Sequence, residues 1–484
     1  MLSYSFAKRA GAVIVVDAST CICLHSGPLA PDDILEIQRA AGPHFTFRKT
    51  GQPEFERALS ETYKSSTAQA ADAAAAAGGD LAALADSAAS VDDLLDQRDD
   101  APVVRLINAI LLEAVRAEAS DIHIEPLEHR LAVRFRIDGA LRDILEPGRS
   151  LAPLLVSRIK VMARLDISDK RTPHDGRVSV RIGGHELDVR VSTLPSQHGE
   201  RVVMRILDRS AIRLDPALLG MEVHDLAGFE RLLSRPDGMV LVTGPTGSGK
   251  TTTLYTALAQ LNQRDRNIMT VEDPIEYALE GIGQTQVSSR TGLSFANGLR
   301  AILRQDPDII MVGEIRDNET ARTAIQSAMT GHFVLSTLHT NTALGGVSRL
   351  IDMGAERYLL APVLRGLIAQ RLVRTLCEHC RDPGRATPGE SEMLGGAIEA
   401  GEQLWRVKGC EKCQGQGYRG RTGLYEVVEI NAPLQDMIHR GAPEAELVHE
   451  ARRSSPSLLY DGAAKIRAGR TTAEEVARVA RAET

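Results

Sequence analysis

No stretch of this 484-residue chain approaches the roughly 20 consecutive apolar residues that a helix needs to cross a bilayer. Any membrane association is therefore expected to come through a partner or the surface. Positive charge is not in excess either. Lys and Arg number 57 against 64 Asp and Glu, a formal net charge of -7, which gives no electrostatic reason for nucleic acid as the main partner. A secretory leader is not seen: Lys8 and Arg9 precede an apolar run at 12–16, but Asp17 cuts it short, so the segment reads as a strand and the chain as cytoplasmic. Cysteine is scarce, with six in all. Four fall in two C-x-x-C pairs, which in a reducing compartment favour a metal over disulfides, and Cys21 and Cys23 are expected simply to pack. No internal repeat is evident.

What is present is enough for several cores. The chain is too long for one, and 43% apolar with 25% charged residues is ordinary soluble composition. Residues 1–64 read as a small α/β unit, with apolar runs at 13–16 and 21–24 and a helix opening near Pro31 on the acidic Asp32 and Asp33. An Ala-rich segment, 65–100, reads as a linker. A second, α+β unit is expected over 101–210. Val104, Ile107, Leu111 and Val115 recur at helical spacing; Leu131, Val133, Phe135 and Ile137 alternate with polar or small residues before the Asp138-Gly139 turn; a further strand pair turns at Gly183-Gly184. From about 220 to 376, apolar strands at 239–242, 268–271, 309–312 and 333–336 alternate with helices, the pattern of a largely parallel sheet. A cysteine module is expected at 377–420 and a helical tail at 421–484.

The chemistry concentrates in the parallel-sheet region. Gly244, Pro245, Thr246, Gly247, Ser248, Gly249, Lys250 and Thr251, with Thr252 following, match the G-x-x-x-x-G-K-[ST] phosphate loop and stand between an apolar strand and a helix, as such a loop requires. Backbone N–H groups would converge on phosphate, Lys250 reach the β and γ phosphates, and Thr251 ligate Mg2+. Asp308 to Glu314 reads as the strand delivering a second Mg2+-associated carboxylate, here Glu314; the plain alternative is a buried strand ending in a Glu314–Arg316 salt bridge. Glu272, Asp273 and Glu276 follow another apolar strand and could share the same cleft, where a carboxylate would orient and polarise water. His332 and His339 bracket a strand and, by themselves, say little. Cys377, Cys380, Cys410 and Cys413 offer four thiolates, a set that suits structural Zn2+ and leaves no open position for catalysis.

In this order the motifs resemble the secretion ATPase superfamily, and most closely its type II secretion branch. The likeness covers nearly everything after residue 100: the phosphate loop, TVEDPIEY (270–277), Gly313-Glu314, the histidine box (331–341), the cysteine knuckles, and in the second unit ASDIHIEP (119–126) and DVRVSTLPSQHGERVVMR (188–205). It implies an α/β chain with a RecA-like P-loop ATPase core, a PAS-like preceding domain, a four-cysteine zinc insertion and a small N-terminal α/β domain. It also implies that Glu272 is the catalytic glutamate, Glu314 the Mg2+-associated one, His332 and His339 γ-phosphate sensors, and Arg190 and Arg205 arginine fingers. The plain alternative for the two arginines is solvated surface. The family's working form is a homo-hexamer using ATP, Mg2+ and Zn2+ beneath the inner membrane. There residues 1–64 would dock on a bitopic platform protein, with a polytopic platform protein as a further partner and no nucleic acid. A type IV pilus assembly ATPase shares most of these motifs; a nucleic-acid translocase and a nucleotide-bound scaffold with little turnover are the readings from other classes.

Overall fold

The computed structural model describes residues 10–17, 20–41, 45–51, 54–55, 58, 81, 102–182, 185–208 and 214–480. Lys8, Arg9, the Gly183-Gly184 turn and, apart from Leu81, the expected linker at 65–100 lie outside the described residues. Two units divide the chain, Met1–Ile212 and Arg213–Thr484.

The first unit opens with strands β1 (Ala12–Asp17) and β2 (Thr20–His25), antiparallel to each other, then helix α1 (Pro31–Ala41) and β3 (Phe45–Lys49), which runs parallel to β2. Val13, Ile14, Cys23, Ile37 and Phe55 close this small core. Cys23 packs there fully buried, as expected of a small apolar side chain.

Helix α2 (Pro102–Arg116) follows, then β4 (Ala119–Pro126), β5 (Leu131–Ile137), β6 (Ala140–Leu145), α3 (Ala152–Met162), β7 (His174–Ile182), β8 (His185–Ser196) and β9 (Gly199–Asp208). These strands form one antiparallel sheet in the order β6-β5-β4-β9-β8-β7. Period-2 alternation sends Ile122, Ile124, Val133, Phe135, Val189, Val191, Val202 and Met204 into a core shared with Ile107 and Leu111 of α2 and Leu155 and Ile159 of α3. Arg134 and Arg190 fall between these positions, and the register aligns Arg177, Arg190, Arg205, Asp121 and Arg136 in one row across five strands.

In the second unit, α4 (Val223–Leu233), β10 (Gly238–Thr243), α5 (Lys250–Leu261), β11 (Ile268–Glu272), β12 (Gly283–Gln286), α6 (Phe295–Ile302), β13 (Ile309–Val312), α7 (Asn318–Met329), β14 (Phe333–Leu338), α8 (Gly345–Asp352) and α9 (Arg357–Val363) lead into the long β15 (Leu364–Leu376). After the cysteine region, which holds the short pair β16 (Asp382–Arg385) and β17 (Gln403–Arg406) and helix α10 (Pro388–Met393), β18 (Tyr418–Glu429) returns antiparallel to β15. Helices α11 (Ala432–Arg440), α12 (Glu444–Ala451), α13 (Leu458–Arg467) and α14 (Ala473–Ala480) close the chain.

The seven-stranded sheet runs β12-β11-β13-β14-β10-β15-β18, parallel except for β18. Its inner strands β11, β13, β14 and β10 are buried on both faces, as continuous apolar runs require: Val240 and Val242 face α4 and α5, Met239 and Leu241 the core that includes α6, α7 and the C-terminal helices. The boundary expected between 420 and 421 falls inside β18. The tail is therefore built onto the main sheet, with Leu434, Leu447, Leu458 and Val476 inside the same core as Leu367 of β15.

Candidate functional site

In a parallel sheet, loops at the carboxyl ends of neighbouring strands meet in one crevice. The segment after β10 is 244–249, and α5 begins at Lys250. Its backbone is confined: a side chain at Gly244 would place its Cβ 2.5 Å from the Gln370 carbonyl oxygen, and one at Gly249, in the left-handed region at φ 89°, would meet the Gln370 amide nitrogen at 2.8 Å. The Lys250 ammonium curls over the loop and donates to the carbonyls of Gly244 (2.7 Å) and Pro245 (3.0 Å). Burial pulls its pKa down to about 8, with Glu314 opposing and Arg371 reinforcing, so three charged groups meet here. The Ser248 hydroxyl is buried without a hydrogen-bond partner among the described residues. An unsatisfied buried hydroxyl in a loop of this sequence fits a phosphate ligand. Thr251 and Thr252 are exposed at the first turn of α5, while Thr246 and Gly247 form the exposed tip of the loop.

Glu272 ends β11 and is buried. Thr270 donates to its Oε1 (2.5 Å), Gln284 of β12 donates to the same oxygen (3.0 Å), and the Tyr255 hydroxyl of α5 donates to Oε2. Glu314 follows β13, held from β14 by Thr337 donating to the Gly313 carbonyl (2.7 Å) and by the Ile315 amide donating to Thr337 (3.1 Å). It pairs with Arg316, the salt bridge foreseen as the plain alternative, and also faces His339 Nε2 at 3.4 Å. Asp317 then caps α7 by accepting from the Thr320 amide, which ends the loop there.

The two histidines part company. His339 follows β14 and joins Glu314. His332 precedes β14, where its carbonyl accepts from the Gly238 amide at the start of β10 and its Nδ1 sits on the Ser327 carbonyl (2.9 Å) and the Thr330 hydroxyl (3.0 Å). Six residues of strand separate the two, about 20 Å at the usual strand rise. The expectation that both sense the same γ-phosphate therefore does not hold within one chain: parallel pairing of β14 with β10 puts His332 at the amino edge of the sheet and the phosphate loop at the carboxyl edge.

Arg190 and Arg205 belong to the first unit, directly opposite each other on β8 and β9. Arg205 Nε donates to Asp121 Oδ1 (2.9 Å) while its side chain stays 59% exposed. Asp121 also faces Arg136.

Cys377, Cys380, Cys410 and Cys413 come together with every Sγ within 4.8 Å of the others. Three pairs lie at 3.7, 3.8 and 3.9 Å. A tetrahedron with metal–sulfur bonds of about 2.3 Å has edges of about 3.8 Å, so the thiols fit a tetrahedral metal ion. Burial pushes the Cys413 thiol up, but the amides of Cys410 and Gly417, both donating to Sγ at 3.1 Å, prevail and bring it down to about 6.

Sequence reasoning missed three neighbours of the loop: Tyr255, Gln370 and Arg371. The signal was there in β15, where a polar pair interrupts the buried run LIAQRLV. Arg371, almost fully buried, donates to the Asn341 carbonyl (2.5 Å) and the Gln370 carbonyl (3.1 Å), and so ties the segment after His339 to the strand beside the loop.

Residues 96–478 match the family model of the type II/IV secretion system protein, and residues 1–63 match that of an N-terminal domain of GSPII protein E. The chain belongs to the type II/IV secretion system protein family. The type II secretion system protein E of Pseudomonas aeruginosa is 54% identical over all of this chain and 96% of its own length. The type II secretion system ATPase E of Vibrio cholerae is 50% identical over 99% of this chain and 96% of its own. Among solved structures, the pilus retraction motor PilT with bound ADP is 27% identical, with a TM-score of 0.53 over 77% of this chain and 96% of that one. The Legionella pneumophila ATPase DotB, at 21% identity, shares the fold with a TM-score of 0.59 over 78% of this chain and 95% of that one. The sheet of this secretion ATPase is thus RecA-like, and relatives near half identity place it in the type II branch rather than with pilus assembly.

Proposed function

We propose that this secretion ATPase turns ATP hydrolysis into the mechanical work that builds the pseudopilus of a bacterial type II secretion system and drives export across the outer membrane. The observation that carries the reading is the convergence of a phosphate loop, Lys250, Glu272, Glu314 and His339 at one edge of a RecA-like sheet, in a chain half identical to type II secretion ATPases over its length.

The loop 244–249 and Lys250 bind the phosphates, and Glu272 orients and polarises the attacking water. His339 faces the γ-phosphate. Thr251 and Glu314 would hold Mg2+, which when bound neutralises charge on the phosphate oxygens. Arg190 and Arg205 offset charge on the transferred phosphoryl group when the two units close on each other in a homo-hexameric ring. The four cysteines hold a structural Zn2+. Residues 1–64 dock on a bitopic protein of the inner-membrane platform, and a polytopic platform protein receives the motion, so the ring works peripherally on the cytoplasmic face. Among the described residues no helix is long and apolar enough to cross a membrane.

The test is ATP turnover by the full chain with and without a platform protein's cytoplasmic domain and anionic lipid, beside Glu272→Gln and a DNA-added control. Stimulation by partner and lipid, loss in Glu272→Gln and indifference to DNA are expected. Stimulation by DNA alone would overturn the secretion reading in favour of a nucleic-acid translocase.

A further inference from the structure

Behind the phosphate loop, a chain of buried polar groups crosses the apolar core between the sheet and α4 and α5. It starts on α5, one turn past Lys250, where the Thr253 hydroxyl donates to Gln370 Oε1 (2.7 Å). The Gln370 amide donates to the Tyr425 hydroxyl (3.1 Å), which donates to the Leu219 carbonyl (3.2 Å). On the other side of Tyr425, its backbone amide donates to Asp461 Oδ2 (2.8 Å), and Asp461 holds the Lys465 ammonium through both oxygens at 2.6 Å. Lys465 Nζ also stands 6.0 Å from the centre of the Tyr425 ring, within reach of its π face. Thr253, Gln370, Tyr425, Asp461 and Lys465 are all 3% exposed or less. None of them belongs to the nucleotide chemistry above.

A buried lysine–aspartate pair is a poor source of stability, since desolvation offsets most of its attraction. Apolar side chains would fill this core as well. What the pair and the hydrogen-bonded chain supply is geometry, because each member fixes the direction of the next. At one end that geometry meets the phosphate loop twice: the Gln370 carbonyl lies where a Cβ on Gly244 would go, and the Gln370 amide where a Cβ on Gly249 would go. At the other end it meets α13, which the chain reaches only after passing through the cysteine module.

We propose that Gln370 is a positioning residue that sets the shape of the phosphate loop, and that the Tyr425–Asp461–Lys465 cluster sets Gln370, so that the position of α13 is transmitted to nucleotide affinity. The proposal rests on the phosphate-loop reading above.

The experiment measures affinity of the full-length chain for fluorescently labelled ADP with Mg2+, alongside thermal melts. Gln370→Leu and Tyr425→Phe should each weaken binding about tenfold, and their combination no further, because members of one network are not additive. The double variant Asp461→Asn/Lys465→Met removes both opposite charges of the pair together and touches no atom of the loop. It should weaken binding by about threefold or more in the native background and by nothing in the Gln370→Leu background. Additive effects, or a lowered Tm with unchanged affinity, would overturn the proposal. Should the double variant fail to fold, Tyr425→Phe, short of a single oxygen, decides alone: unchanged affinity sinks the idea. Lys250→Ala separates the two readings. If it leaves ADP binding intact, the phosphate-loop assignment is at fault; if it abolishes binding while Gln370→Leu does nothing, only the transmission through Gln370 fails.

Discussion

Both oxygens of Glu272 are held by donors from its own chain, and two of those donors, Tyr255 and Gln284, lie outside any motif. Tyr255 is the most telling of these: it is fully buried, and burial and the Glu272 carboxylate both push its phenol above the ordinary value, so at neutral pH it remains a donor. Tyr255→Phe removes that donor and leaves Oε2 short of a partner. Steady-state kinetics should show kcat down by about tenfold with KM for ATP little changed, and melts a loss of about 1–3 kcal/mol, the usual penalty for a buried group left unpaired. An unchanged kcat would separate Glu272 from the chemistry. Asp225 carries a different signature. Burial pushes its carboxyl from 3.8 up to about 7, with Asp461 reinforcing and Lys465 opposing. A carboxyl raised in this way takes up protons on folding between about pH 4 and pH 7, so its contribution to stability declines as pH climbs through that window and is level above it. Asp225→Asn should therefore melt above the native chain at pH 8 and together with it at pH 4. Identical differences at both pH values would show that Asp225 titrates normally.

At the scale of elements, what could be read from the chain was what local periodicity writes. The apolar runs placed β10, β11, β13 and β14 to within a residue or two, and alternation placed β5. Local pattern fails where a strand is defined by its neighbour. GQTQ of β12 has no apolar run and is a strand because β11 offers it an edge. β18 is exposed along its first half and buried along its second, so half of it looks like loop; its register comes from β15, some fifty residues earlier. The site divides the same way. The phosphate loop and the cysteines follow from spacing and Glu272 and Glu314 are singled out by the family resemblance, whereas the separation of His332 from His339 follows from parallel pairing, which no spacing rule states. The cysteine module also belongs to this scale. It is stitched to the segment after α13 by the Leu376 amide donating to the Arg470 carbonyl and by Arg381, which stacks over Trp405 of the module at 4.5 Å, donating to the Gly469 carbonyl. Removing the metal should loosen β15 and β18 together. Elemental analysis should find one zinc per chain, and Cys410→Ser should lose it and lower Tm by several degrees or more, since the binding energy of a closed thiolate site is folding energy. A native chain that melts unchanged after zinc is stripped would make the module dispensable.

For the whole molecule the question is why arginines of the first unit should matter to a nucleotide held by the second. The row Arg177, Arg190, Arg205, Asp121, Arg136 aligns four arginines and one aspartate across five strands, and Asp121 faces both Arg205 and Arg136. Arg205 is anchored on Asp121 by one bond and otherwise exposed. Phosphoryl transfer needs positive charge that strengthens its grip in the transition state, and an arginine supplied for that purpose is worth about 10³–10⁵ in kcat. If Arg205 plays that part, its loss should spare ground-state binding and remove turnover. Arg205→Ala in the full-length chain, measured under conditions where the partner and lipid stimulate it, should bind ADP as the native chain does and turn over at least about a hundredfold more slowly. Arg205→Lys should not restore it, because an ammonium cannot reproduce the planar fork on phosphate oxygens. Mixing decides whether the arginine serves its own chain or a neighbour. Chains carrying Arg205→Ala and chains carrying Lys250→Ala should each, alone, turn over far more slowly than the native chain. If a mixed ring regains turnover, a native arginine from one chain is completing a native phosphate loop on another; if it does not, each chain must close its own two units over its own nucleotide.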